Sequence, residues 1–173
     1  MRSLEARCSR RWILCGLVAV GLFLGGCRSA PDLETPPEIQ YGEDTCDHCR
    51  MQIAGPRFAA ASMTRQGRSH RFDDIGDMLA FHGSYPDVVA RFWVHDHDTE
   101  SWIPADDAFF AVSKDITTPM GHGVAALSTE VRARELVAES DGVVLTLHEL
   151  LAIVGRKDPK PGPLYDLVRR AGS

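Results

Sequence analysis

A succession of short apolar segments separated by turn residues most constrains the fold of this chain. Strand-like segments are predicted at 58–64, 69–72, 88–96, 107–113 and 143–147. Helix starts are predicted after Asp73-Asp74, after Ser128, and at His148 or Glu149. The resulting order, β-β-α, then β-β, then α-β-α, predicts an α+β domain. No convincing internal repeat is visible in the sequence.

The N-terminal residues have the pattern of an export signal. Arg7, Arg10 and Arg11 precede an apolar run that ends at Cys27 and is too short for a good membrane-spanning helix. The tripeptide LGG at 24–26 resembles a bacterial lipobox, so residues 1–26 are predicted to be a cleaved signal peptide and Cys27 the lipidated first residue. The predicted location is the periplasmic side of a bacterial membrane, with the outer membrane favoured.

Composition divides the rest of the chain into a tether, a domain and a tail. Residues 27–45 are rich in proline and acidic residues and are predicted to be a flexible tether. Residues 46–155 form the predicted domain, and 156–173 a C-terminal tail. Without residues 1–26, the 19 basic and 24 acidic side chains fall to 15 and 23, a net charge of −8. That balance predicts no nucleic-acid partner and favours docking to a partner with a basic face.

Cys46 and Cys49 form a CxxC pair, with His48 between them and Met51 two residues later. A haem attachment site is excluded because Arg50, not a histidine, follows the second cysteine. A zinc site with further ligands, a thioredoxin-like redox pair and a structural disulfide all remain open. A thioether beside two thiols favours a soft monovalent ion, Cu(I), for which two or three ligands suffice.

Several motifs together resemble the NosL family of lipoproteins. In chain order they are the lipobox, CDHCRM, HRFDDIGDM, WIPADDAFFAV, TPMGHGVAAL and DGVVLTLHEL, which span about Gly42 to Leu151. The resemblance implies tandem β-β-α units related in topology to organomercurial lyase. It also implies a copper chaperone, encoded beside nitrous oxide reductase, that delivers Cu(I) to that enzyme or its assembly machinery in denitrification.

Carried onto this sequence, the resemblance makes Cys46, Cys49 and Met51 the copper-binding motif and Met120 a distant thioether ligand. His122, two residues after Met120, is a candidate imidazole ligand. These five residues are the predicted metal site.

Other residues leave further interpretations open. The run His95–Asp98 is a second candidate metal site, and Asp73-Asp74 are predicted to cap a helix, with hydrogen bonding to a metal site as the alternative. No nucleotide loop, Ser-His-Asp order or paired catalytic carboxylates indicate an enzyme. Two functions compete with the chaperone: a thiol-disulfide reductant for copper-site maturation, and an interaction module stabilised by zinc or a disulfide.

Overall fold

The computed structural model describes residues 30–83, 88–155 and 162–172 of the 173-residue chain. The predicted signal peptide and Cys27 lie outside these residues, as do residues 156–161 and 173 of the predicted tail. Two antiparallel sheets and four α-helices make up the described part, so the expected α+β class is confirmed.

The first sheet is built from the N-terminal half of the domain. Its elements are β1 (Ala60–Thr64), β2 (Ser69–Phe72), α1 (Ile75–Gly83), β3 (Val89–His95) and β4 (Trp102–Pro104). The strand order is β2-β1-β3-β4, and all three pairings are antiparallel. A short 3-10 turn, Ala105–Asp107, leads out of this sheet.

The second sheet and the C-terminal helices follow. Their elements are β5 (Phe109–Val112), β6 (Val124–Leu127), α2 (Glu130–Leu136), β7 (Val143–Leu145), α3 (Leu147–Val154) and α4 (Leu164–Ala171). The strand order is β6-β5-β7, again antiparallel.

Both sheets share one arrangement. In each, the first strand is central, the second pairs on one side, and a third strand pairs on the other side after a helix. This confirms the tandem β-β-α units that the family resemblance implied. The sheets meet where Asp96, just after β3, forms a parallel bridge with Ala126 of β6, and the His97 N–H donates to the Ala126 carbonyl at 2.8 Å.

The main core is built from α1, both sheets and the helices α3 and α4. Ile75, Met78 and Leu79 recur at the three- and four-residue spacing of one helical face and are fully buried against strand residues such as Phe72 and Phe92. Burial of each such side chain stabilises the fold by about 1.5–3 kcal/mol. The apolar face of α1 therefore fixes the position of this helix in the fold.

The sequence did not predict β6, β4 or α4. The reason is clearest for β6, whose residues VAAL do not alternate between apolar and polar. Val124 and Ala126 pack in the main core, whereas Ala125 and Leu127 pack in a second core beneath α2. A strand buried on both faces gives a continuous apolar run, which periodicity alone does not assign to a strand.

The segment assigned to the tether contributes to the domain from Pro37 onward. Pro37 and Ile39 are buried, and Arg71 of β2 donates from Nε to the Glu38 carbonyl at 2.5 Å. No helix within the described residues is long and apolar enough to cross a membrane.

Candidate metal centre

A tight loop brings the two thiols together. Thr45 and Gln52 pair across it as an antiparallel bridge, the Cys46 N–H donates to the Met51 carbonyl at 2.8 Å, and the Arg50 N–H donates to the Cys46 carbonyl at 3.1 Å. Arg50 closes the turn in the left-handed region, with φ of 67°. The CxxC spacing is thereby folded back on itself, with Cys46 buried, Cys49 partly exposed and both thiols free.

Asp77 supplies a carboxylate to the same place. It lies in the first turn of α1 with a side chain only 1% exposed, and the Cys46 thiol donates to its Oδ2 at 3.3 Å. One ligand atom from each of Cys46, Cys49 and Asp77 lies within 4.8 Å of the others. This is the spacing at which three donors can hold one metal ion.

His122, directly after the tetrapeptide TPMG at 118–121, also contacts Asp77. Its Nε2 lies 3.2 Å from Asp77 Oδ1, while its Nδ1 is buried without a hydrogen-bond partner. The approach depends on Gly76, because a Cβ at that position would overlap the His122 ring. Gly121 and Gly123, both with φ of 70°, allow the loop to turn sharply on either side of the histidine.

Asp74 fixes the loop that carries Met120. Its Oδ1 accepts the Gly76 N–H at 2.8 Å, which caps α1 as predicted. Its Oδ2 accepts the Thr118 hydroxyl at 2.6 Å and the Met120 N–H at 3.0 Å. One buried carboxylate thus joins the start of α1 to the loop of residues 118–121, the TPMG loop. Asp73 instead accepts the Ala54 N–H, at 3.2 Å.

The charges around the thiols are set by burial and hydrogen bonding. Burial raises the pKa of Cys49 to about 12, with help from the neighbouring Asp77 carboxylate. Burial alone would raise the pKa of Asp77. Hydrogen bonds from His122 and the two cysteines outweigh this effect and lower that pKa below its ordinary value. For His122, burial lowers the pKa, but the hydrogen bond to Asp77 and the nearby Asp74 charge leave it raised. Cys49 is consequently a weak nucleophile at neutral pH.

The structure brings three of the five predicted ligands to one place. Cys46 and Cys49 lie together, and His122 is joined to them through Asp77. Met51 and Met120 lie in the two loops that carry these residues, Met51 with 55% of its surface exposed and Met120 half-buried. Their role as thioether ligands stays a prediction.

Asp77 is not among the ligands predicted from the sequence. The only local indication that Asp77 is buried is its position in the first turn of α1, between the core residues Ile75 and Met78. A carboxylate on that part of a helix is buried only when it has partners, and these partners lie 31 and 45 residues away. No local pattern reveals them.

In the second candidate metal site, His95–Asp98, the side chains make hydrogen bonds within the fold. His95 is buried, its Nδ1 lies 2.9 Å from the Ala59 carbonyl, and its Nε2 lies 2.9 Å from the Tyr41 hydroxyl. Asp96 accepts the Thr99 and Ser128 N–H groups. In the part of the chain that the structure describes, these residues form no cluster with metal-ligand spacing; the cluster found is that of Cys46, Cys49 and Asp77.

Comparison with known proteins gives two findings. The sequence pattern of the NosL family matches residues 38–152. The fold is similar to the crystal structure of the copper chaperone NosL from Shewanella denitrificans, with a TM-score of 0.58 and 22% identity over 66% of this chain and 96% of that one. No curated protein matches the sequence.

Proposed function

Because this chain belongs to the NosL family, we propose that it is a copper chaperone that binds Cu(I) at Cys46 and Cys49. The observation that carries the proposal is the pair of free thiols held within 4.8 Å of each other in one loop. Thiolates are soft ligands and select Cu(I). The family resemblance further supports nitrous oxide reductase as the recipient.

The accessibility of the loop of residues 45–52, the thiol loop, supports transfer rather than storage. Cys49 is partly exposed and Met51 is 55% exposed, so an incoming ligand can reach the ion from solvent. A shallow site of low coordination number releases its ion by ligand exchange, whereas a buried four-coordinate cage retains it. The helix α1 and the TPMG loop hold the inner side of the site in place through Asp74 and Asp77.

A thiol-disulfide reductant fits this geometry less well. Such enzymes place a thiol of lowered pKa at a strand-to-helix junction. Here Cys46 and Cys49 lie in a turn between two paired backbone segments instead. The chaperone is therefore the better supported function.

A competition titration with a Cu(I) chelator under anaerobic conditions tests the proposal. We expect Cys46→Ser and Cys49→Ser to lower Cu(I) affinity by more than the roughly 10- to 100-fold typical of losing an outer-shell partner. Met51→Leu and Met120→Leu remove only a sulfur donor and should weaken Cu(I) binding while leaving Zn(II) binding almost unchanged.

Met63→Leu, on β1, is the matched control for the methionine changes. Such a volume-conserving swap costs under ~1.5 kcal/mol of stability, so all three methionine variants should fold. Unchanged Cu(I) affinity in both cysteine variants would contradict the proposal. A strong preference of the wild type for Zn(II) would favour the zinc-stabilised interaction module instead.

We propose that Cys27, which lies outside the described residues, anchors the protein by lipid to the periplasmic side of the membrane. The LGG tripeptide before it supports this. In cells given radiolabelled palmitate, Cys27→Ala should abolish label incorporation and membrane association, with Cys8→Ala as the control. Label that persists in Cys27→Ala would exclude this anchor.

A further inference from the structure

A half-open pocket lies beside the thiol loop and takes no part in the metal centre. Its volume is ≈ 660 Å³. Aromatic and aliphatic groups form much of its wall, with imidazoles and a guanidinium around them. The residues that matter here are His48, Arg68, His70, Phe81, His82 and Val88.

The pocket and the metal centre share a wall. His48 lies between the two cysteines in the loop, and its ring stands perpendicular to that of Phe81, with centroids 6.4 Å apart. Phe81 follows Asp77 by four residues on α1, so both lie on one face of that helix. A segment bound in the pocket would therefore lie next to the ion.

The pocket carries one positive charge, that of Arg68, which is exposed at its rim beside the exposed imidazole of His48. No carboxylate is among its lining residues in the part of the chain that the structure describes. Asp47, next to His48 in the loop, hydrogen-bonds through its Oδ2 to His70 Nδ1 at 2.9 Å. The aspartates of the metal centre are buried inside it, whereas the whole chain has a net charge of −5.

We propose that this pocket receives an acidic segment of the copper-receiving protein, with carboxylates against Arg68 and an apolar side chain against Phe81 and Val88. The proposal rests on the function proposed above and deepens it by naming the docking chemistry. It reverses the expectation from net charge, which favoured a basic face on the partner. Charge complementarity at the pocket, rather than over the whole surface, decides the orientation of docking.

The test measures association of the chain with metal-free nitrous oxide reductase, the proposed recipient, at low and at high ionic strength. We expect Arg68→Glu to slow association by about 10-fold at low ionic strength, with the difference vanishing at high salt. Arg68→Lys should retain most of the rate. Arg134→Glu, on the exposed side of α2, is the matched control with the same charge change and should have little effect.

Cu(I) affinity, measured by chelator competition, separates this proposal from the proposed function, because Arg68→Glu should leave it unchanged. If the wild-type protein does not bind Cu(I), the proposed copper-chaperone function is overturned. The association rates would still test whether the pocket is the docking site. Equal rates for wild type and Arg68→Glu, or equal slowing in Arg134→Glu, would overturn the pocket proposal. Self-association of the chain that Arg68→Glu abolishes would also overturn it, since a second copy would then be the occupant.

Discussion

At the scale of single residues, the site depends on groups that have little chemistry of their own. Gly76 makes room for His122, and Arg50 adopts a left-handed conformation so that the thiol loop can close. Asp77 contacts Cys46 and His122 at once and so links the two loops that carry them. The consequence is that a change as small as one methyl group can disrupt the site.

Gly76→Ala should displace His122 from Asp77. Alanine is the better helix former by about 1 kcal/mol, so intrinsic propensity alone predicts a more stable α1. The overlap with the His122 ring outweighs this. We expect a roughly 10- to 100-fold loss of metal affinity, as for other changes to groups that orient ligands, measured by chelator competition.

Gly55→Ala is the control for this change, because a Cβ there meets nothing within 4 Å. If the effect acts through His122, the double variant Gly76→Ala, His122→Ala should bind no more weakly than His122→Ala alone. Additive losses would show that Gly76 acts by another route.

At the scale of elements, the start of α1 and the TPMG loop behave as one unit. The joining group is Asp74, which is fully buried and accepts donors from both. The predicted helix cap is therefore present, and the same carboxylate also anchors the loop. Hydrogen bonding of Asp74 to a metal site, the alternative, stays a prediction.

Asp74→Ala should release the TPMG loop. Loss of the cap alone costs about 1 kcal/mol, and the Thr118 hydroxyl and Met120 N–H lose their acceptor as well. We expect faster amide hydrogen exchange at Met120 and weaker Cu(I) binding. Asp73→Ala, which removes an acceptor from Ala54 only, should leave Met120 exchange unchanged; slow exchange in both variants would show that the loop is held elsewhere.

At the scale of the whole molecule, Asp96 ties the two sheets together. It follows β3 and accepts the Ser128 N–H, just beyond β6, at 2.7 Å, as well as the Thr99 N–H at 2.9 Å. Burial alone would raise the pKa of Asp96. These hydrogen bonds outweigh that effect and lower the pKa from 3.8 to about 2. The junction is therefore stabilised by the ionised carboxylate.

This shift predicts a specific acid sensitivity. The folded-state pKa lies below the unfolded-state value, so the stabilisation is complete above pH 3.8 and is lost as the pH falls through about 2. The difference corresponds to about 2 kcal/mol at neutral pH. Asp96→Asn should destabilise the domain at pH 7 by about that much, and the gap between the variant and the wild type should close in acid.

Denaturant unfolding at a series of pH values measures this gap. Asp106→Asn, an exposed position on the 3-10 turn, is the control and should show no such pH-dependent difference. A gap between Asp96→Asn and the wild type that stays constant down to pH 2 would contradict the assignment.

The sequence by itself determined the features that depend on local patterns. The spacing of Ile75, Met78 and Leu79 predicted α1, and the turn residues predicted the β1–β2 hairpin. The CxxC spacing marked Cys46 and Cys49 as one candidate site, and the structure places them together. Each of these involves residues within a few positions of one another, where periodicity and turn chemistry act directly.

Only the tertiary structure decided the features that join distant parts of the chain. The similarity of the two sheets comes from the order of strand pairing, which leaves no repeat in the sequence. The strand β6 is hidden because both its faces are buried. Asp77 enters the site because folding places it beside Cys46 and His122, and its burial is tolerated only with those partners present.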